Sequence, residues 1–171
     1  MKPHCYTVFN AEQVEGLPVS FYATVAPALS DLERISATDR FFAATGSDIR
    51  HGGSQVYSIQ LEYRMLMPPF EAFKDQISYY ATLAYELTHW TKHKKRLDRI
   101  FGRKNWDDAG YAMEELVAEL GAAFLAADLG LEAAPRPDHA AYLASWLVVM
   151  KSDKRAIFSA ASHAQRAVDF S

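Results

Sequence analysis

The chain has 171 residues, half of them apolar, a formal charge of −3 and one cysteine. That is enough for one domain with a proper core and too little for two comfortable ones, and the mild charge gives no basis for bulk attraction to nucleic acid or an anionic membrane. Cys5 alone excludes an internal disulfide, the opening MKPHCYTVFN lacks the apolar stretch of a signal peptide, and the longest apolar run, LASWLVVM, falls far below the ~18 residues of a membrane span, so a soluble, cytoplasmic, single-domain protein is expected.

In chain order, CYTVFN reads as a brief β segment and AEQVEGLP as a turn or short helical piece. A helix is predicted from an N-cap at Ser30 through DLERISATDRFFAATG, with Leu32, Ile35 and Phe42 at helical spacing and Gly46 at its stop. DIRHGGSQVYSIQLEYRM alternates, placing Tyr57, Ile59, Leu61 and Tyr63 on one side of a strand, and Gly52 and Gly53 supply the turn of an expected hairpin. After MPP the chain turns helical. FEAFKDQISYYATLAYELTHWTKH carries Tyr80, Leu83, Leu87 and Trp90 on one stripe. The loop KKRLDRIFGRKNWDD follows, and a long helix runs through GYAMEELVAELGAAFLAADLG, with Met113, Leu116, Leu120 and Phe124 as its stripe and Gly130 near its end. Two further helices are predicted, one opened by Asp138 in PDHAAYLASWLVVMKS and one in DKRAIFSAASHAQRAVDF. A small β section followed by a helical section indicates an α+β domain.

The chemistry centres on ATLAYELTHWTKH. Residues four apart on a helix share a face, so Tyr85, His89 and His93 line one edge while Glu86 projects about 100° round from Tyr85. This is the pattern of an H-E-x-x-H zinc helix with tyrosine in place of the first histidine. In such a helix a glutamate beside the metal takes a proton from bound water, and a third ligand comes from elsewhere. The next helix offers Glu115, with Glu119 one turn on to orient a histidine, and Ala118, Ala122 and Ala123 to allow close approach. Spacing alone leaves the matter open, because His-x-x-x-His pairs and acidic patches such as Glu114, Glu115 and Glu119 arise commonly on solvated helix faces.

Three blocks go further: MPPFEAFKDQISYYATLAYELTHWTKHKKRLDR, YAMEELVAELGAAFLAADLGL and HAAYLASWLVVMKSDKRAIFSAASHAQRA. Together with YTVFNAEQVEGL and ATGSDIRHGG, they closely resemble the zincin-like metallopeptidase domain of ArdC-type antirestriction proteins and related polyvalent proteins of plasmids and phages. The resemblance implies a zincin-like fold and a gluzincin-type Zn²⁺ site. His89 would be the second histidine ligand, Glu86 the general base and Glu115 the glutamate ligand, with Glu114 and Glu119 as alternatives in the same block. Tyr85 would stand at the first ligand position. The strand Tyr57 to Tyr63 would align a protein or peptide substrate.

The departures bear on activity. A phenol must lose a proton before it binds zinc well, which weakens the site, and His93 could replace the missing ligand only by shifting the metal one turn. Tyr63 and Arg64 stand where the family carries an acidic residue and a histidine or similar group. The resemblance implies single-stranded DNA binding only through a separate N-terminal domain, so none is expected of this one. The run Lys92, Lys94, Lys95, Arg96, Arg99, Arg103 and Lys104 reads as a solvated loop, His51 as a turn residue, His139 and His163 as packing or surface residues, and the tryptophans as anchors. The expectation is a metallopeptidase impaired at Tyr85, against a non-catalytic protein-binding relative and, last, a nucleic-acid-binding module.

Overall fold

A computed structural model of the chain describes residues 14–18, 31–52, 57–59, 64–102, 109–131, 146–147, 150–151 and 153–171. Helix α1 spans Asp31–Ala44, followed by strands β1 (Asp48–His51), β2 (Tyr57–Ile59) and β3 (Arg64–Met67), a 3₁₀ turn at Phe70–Ala72, and helices α2 (Gln76–Thr91), α3 (Ala109–Asp128) and α4 (Ala156–Phe170). The expected α+β architecture holds, with a small sheet set among helices.

The helix stops follow the sequence closely. Gly46, at φ 67°, takes the left-handed conformation that ends α1. Gly130 does the same for α3: its N–H bonds Ala127 O at 3.2 Å while Leu131 N–H bonds Ala126 O at 2.8 Å, the paired bonds of a Schellman cap. The expected N-cap Ser30, and the expected opening of a helix at Asp138, lie outside the described residues. Trp146, Leu147, Met150 and Lys151 are helical. The segment from Phe70 is not one helix: Asp75 interrupts it, its carboxylate accepting from Ser78 N–H at 2.7 Å and capping α2.

The sheet corrects the sequence reading. Its order is β1-β3-β2, with β1 parallel to β3 and β2 antiparallel to it, Tyr57 opposite Leu66 and Ile59 opposite Arg64. The expected strand across Tyr57 to Tyr63 is therefore not continuous. The chain reverses between Ile59 and Arg64, and Leu61 and Tyr63 lie outside the described residues. The expected hairpin turn at Gly52 and Gly53 does not join β1 to a paired neighbour, because β1 pairs with β3 and Gly52 N–H bonds Met67 O at 2.9 Å; Gly53 lies outside the described residues. Alternation marks extended chain but does not say where it folds back.

Met65 and Met67, the alternate residues of β3, are fully buried and pack with Phe42 of α1, Leu83 and Leu87 of α2, and Ala118 and Leu125 of α3. The Tyr80 hydroxyl donates to Asp39 at 2.5 Å and ties α1 to α2. A second cluster forms on the other side of α3, where Leu116 and Val117 meet Trp146 and Ala160 and Ala164 of α4. Helix α3 is thus buried on two faces, which is why Val117, Ala118 and Leu125 outrank most of the single predicted stripe. Close approach of α2 and α3 depends on Gly121 rather than Ala123, which is exposed. A Cβ built at Gly121 would lie 2.5 Å from Thr88 Cγ2, and Thr88 is buried with its hydroxyl bonded to Ala84 O at 2.9 Å, so it has no room to yield. Among the described residues, no helix is long and apolar enough to cross a membrane.

Candidate metal centre

Tyr85, Glu86 and His89 are buried on α2, and Glu114 and Glu115 are buried on α3. Four carboxylate, phenol and imidazole groups meet between the two helices. The Tyr85 hydroxyl donates to Glu115 Oε2, and the Tyr85 and His89 rings meet edge to face with centroids 4.7 Å apart. His89 Nε2 lies 3.7 Å from Glu115 Oε1, while its Nδ1 lies 3.0 Å from Glu114 Oε1. Tyr111 also hydrogen-bonds Glu115. The two adjacent glutamates therefore take opposite edges of one imidazole.

Behind Glu114 stands Arg99, which the sequence placed in a solvated basic run. Arg99 is buried, and its Nε and one terminal nitrogen grip the two Glu114 oxygens at 2.9 and 2.8 Å. Its remaining bonds reach Thr88 O at 3.0 Å and Thr91 Oγ1 at 3.1 Å, so it also closes the C-terminal end of α2. The chain gets there by folding back: Leu97 N–H bonds Thr91 O at 3.1 Å, Arg99 N–H bonds Lys92 O at 3.0 Å, and Asp98 adopts a positive φ of 45°. The signal available in the sequence was Glu114 itself, an acidic residue in a helix too apolar to leave it unpaired. Arg96 is not simply solvated either, since its guanidinium lies 3.2 Å from the Trp90 ring centroid. Arg103 and Lys104 lie outside the described residues.

Other expected participants are elsewhere. Helix α2 ends at Thr91, so His93 does not share the Tyr85–His89 edge; it sits in the following turn, and its Nδ1 accepts from Lys95 N–H at 3.1 Å. The carboxylate that holds His89 is Glu114 rather than Glu119, which lies half-buried one turn beyond Glu115. His51 is at the end of β1, its Nε2 bonded to the Tyr79 hydroxyl at 2.9 Å. Among the described residues, the β2 residues Tyr57 and Ile59 lie at an edge of the sheet.

Burial acts against charge on His89, yet the Glu114 and Glu115 carboxylates outweigh it and raise its pKa to about 9. Burial likewise opposes ionisation of Glu114, but His89 and Arg99 overcome it and hold the carboxyl at about 2. Burial is outweighed at Glu115 too, chiefly by His89, and its pKa is lowered. The His89 and Glu114 shifts share one ion pair, to which Glu115 adds on the first and Arg99 on the second. The raised His89 contributes stability that is complete below its ordinary 6.5 and lost as pH rises through about 9; the depressed Glu114 contributes stability present above 4.5 and lost as pH falls towards about 2. Urea midpoints should therefore be highest between about pH 4.5 and 6.5, and Glu114→Gln should flatten both limbs. A stability that keeps rising from pH 6.5 to 9 would rule out this pairing.

As a donor set for a zinc-class cation, the convergent groups are uneven. His89 and Glu115 are ordinary ligands, but the phenol of Tyr85 donates its hydrogen bond to Glu115, and the raised pKa of His89 sets a proton against a metal at its ring. Among the described residues, no group of three or more His, Cys, Asp or Glu side chains is arranged to hold a metal ion. The residues present do not fit a tightly held zinc ion.

Among known proteins, a family of zincin-like metallopeptidases matches residues 36–163. Two crystal structures of the antirestriction protein ArdC from plasmid R388 share the fold. The Mn(II)-bound one has a TM-score of 0.79 and 44% identity, covering 96% of this chain and 60% of that one. The metal-free one has a TM-score of 0.77 and 46% identity, covering 96% and 58%. The uncharacterised protein y4eC of Sinorhizobium fredii (strain NBRC 101917 / NGR234) is 48% identical over 166 residues, 96% of this chain and 52% of its own length. A DNA primase TraC of Escherichia coli is 38% identical over 168 residues, 96% of this chain and 15% of its own. The chain thus spans about half of y4eC and a small part of TraC.

Proposed function

Because the chain belongs to the zincin-like metallopeptidase family, we propose that it is a metallopeptidase domain of the ArdC antirestriction type, impaired at its first metal-ligand position by Tyr85. The observation that carries this reading is the buried hydrogen bond from the Tyr85 hydroxyl to Glu115, beside His89. The phenol engages the carboxylate that a cation would need. In this reading His89 and Glu115 are the remaining ligands of a weakly bound zinc ion, and Glu114, braced by Arg99, orients His89 through Nδ1. Glu86, buried one position after Tyr85, serves as the base that takes a proton from water. The substrate is a protein or peptide, and in this reading β2, an edge strand among the described residues, aligns an extended chain. The Mn(II) in ArdC supports a divalent metal as the class of cofactor.

A second reading is favoured by one observation. Tyr85, Glu115, His89, Glu114 and Arg99 satisfy one another through hydrogen bonds and ion pairs, which supports a non-catalytic, protein-binding relative that keeps the fold. Hydrolysis of a quenched fluorescent peptide library, with zinc added, separates the two. The native chain should cleave little, Tyr85→His should gain activity, and adding Glu86→Gln should abolish that gain while leaving zinc bound. Tight zinc binding by Tyr85→His with no hydrolysis at all would leave the second reading standing.

A further inference from the structure

Helix α4 carries two stripes of different character. Ala156, Ala160, Ala164 and Ala167 are buried, and Ala160 and Ala164 pack in the cluster with α3. Ser159, His163 and Arg166 recur at i, i+4 and i+7 along another stripe, and all three line a cavity of about 410 Å³ between α4, α3 and the loop after α2. That volume lies in the ~300–1,000 Å³ range of small-molecule sites. Among the described residues, no hydrogen bond or ion pair engages the Ser159 hydroxyl, the His163 ring nitrogens or the Arg166 guanidinium. The His163 ring is held only edge to face on Phe101, with centroids 5.0 Å apart.

The remaining walls define the ligand. Phe101, Met113 and the largely exposed Ile100 supply an apolar side. Arg99 contributes positive charge, although its guanidinium is already bonded to Glu114, Thr88 and Thr91. Burial, and then the charges of Arg99 and Arg166, lower the pKa of His163 against the smaller opposing effect of Glu114. A hydroxyl, an imidazole and a guanidinium, aligned and unengaged, call for one compact acceptor with several oxygens. Asp98 also lines the cavity and repels excess negative charge, which favours a single phosphate over a polyphosphate.

We infer that this cavity binds a phosphate monoester on an aromatic or apolar body, with the phosphate held by Ser159, His163 and Arg166 and the body laid against Phe101 and Met113. The test uses the full chain and phenyl phosphate, followed by calorimetry and by the ring resonances of His163. Saturable binding is expected, weaker for inorganic phosphate and for phenylacetate, and at least tenfold weaker in Arg166→Gln, a change at an exposed position outside the buried clusters. His163→Gln should weaken binding as well. The aryl phosphate chemistry is shared by a free metabolite and a phosphotyrosine side chain, and a phosphotyrosine peptide binding more tightly than phenyl phosphate would identify the second source. Absence of saturable binding, equal affinity in Arg166→Gln, or tighter binding of phenylacetate than of phenyl phosphate would each overturn the inference.

Discussion

Tyr85→His is expected to tighten zinc binding by about a thousandfold at pH 7. A phenol loses its proton near pH 10, so binding through tyrosinate at neutrality carries a penalty of about 3 pKa units, or ~4 kcal/mol, whereas a neutral imidazole carries almost none. The variant should also reverse an order of stability. Without metal it loses the buried Tyr85–Glu115 hydrogen bond, so with EDTA it should melt below the native chain by an amount corresponding to about 1 kcal/mol. With zinc at ~1,000 times its dissociation constant it gains ~4 kcal/mol by mass action and should melt well above it. Calorimetric titration and thermal scans with EDTA or zinc read both effects. A change in zinc affinity of less than tenfold would mean that position 85 is not a ligand position.

The second large effect is expected at Arg99. Removing one partner of a buried, bidentate ion pair strands the other charge, and Arg99→Ala should cost about 3–5 kcal/mol in urea unfolding. The loss is not the net value of the pair. Replacing both partners, as in Arg99→Met with Glu114→Met, removes the stranded charge and should be less destabilising than Arg99→Ala alone. If the double variant is as damaged as the sum of the two single changes, Arg99 contributes through Thr88 and Thr91 rather than through Glu114.

The helices were legible because their signals are local. Leu83 and Leu87 repeat with the period of a buried helix, and Gly46 and Gly130 mark stops that only a left-handed residue makes cheaply. The altered motif was legible for the same reason, since Tyr85, Glu86 and His89 lie within one turn of a helix. The sheet was not. Parallel pairing of Asp48 with Arg64 depends on the path of the intervening chain, which alternation does not encode. Arg99 was misread because a basic run looks solvated until a buried carboxylate is known to face it. Spacing favours Glu119, one turn beyond Glu115, as the group that orients a histidine, and only the crossing of α2 over α3 brings Glu114 to His89 instead. Gly121 was missed because a residue without a side chain acquires meaning from its neighbour, here Thr88.

That contact between Gly121 and Thr88 bears on how reversible the site is. Tyrosine and histidine codons differ by a single base, so the donor missing at position 85 lies one point mutation away. Such a change matters only if the two helices have kept their separation, and Thr88, wedged against a position that tolerates no Cβ, keeps it whatever occupies position 85. The frame is inherited independently of the ligand it would serve. A lineage carrying this chain therefore stands one nucleotide from an imidazole at position 85, whereas one that filled position 121 would have to undo a change in backbone spacing first.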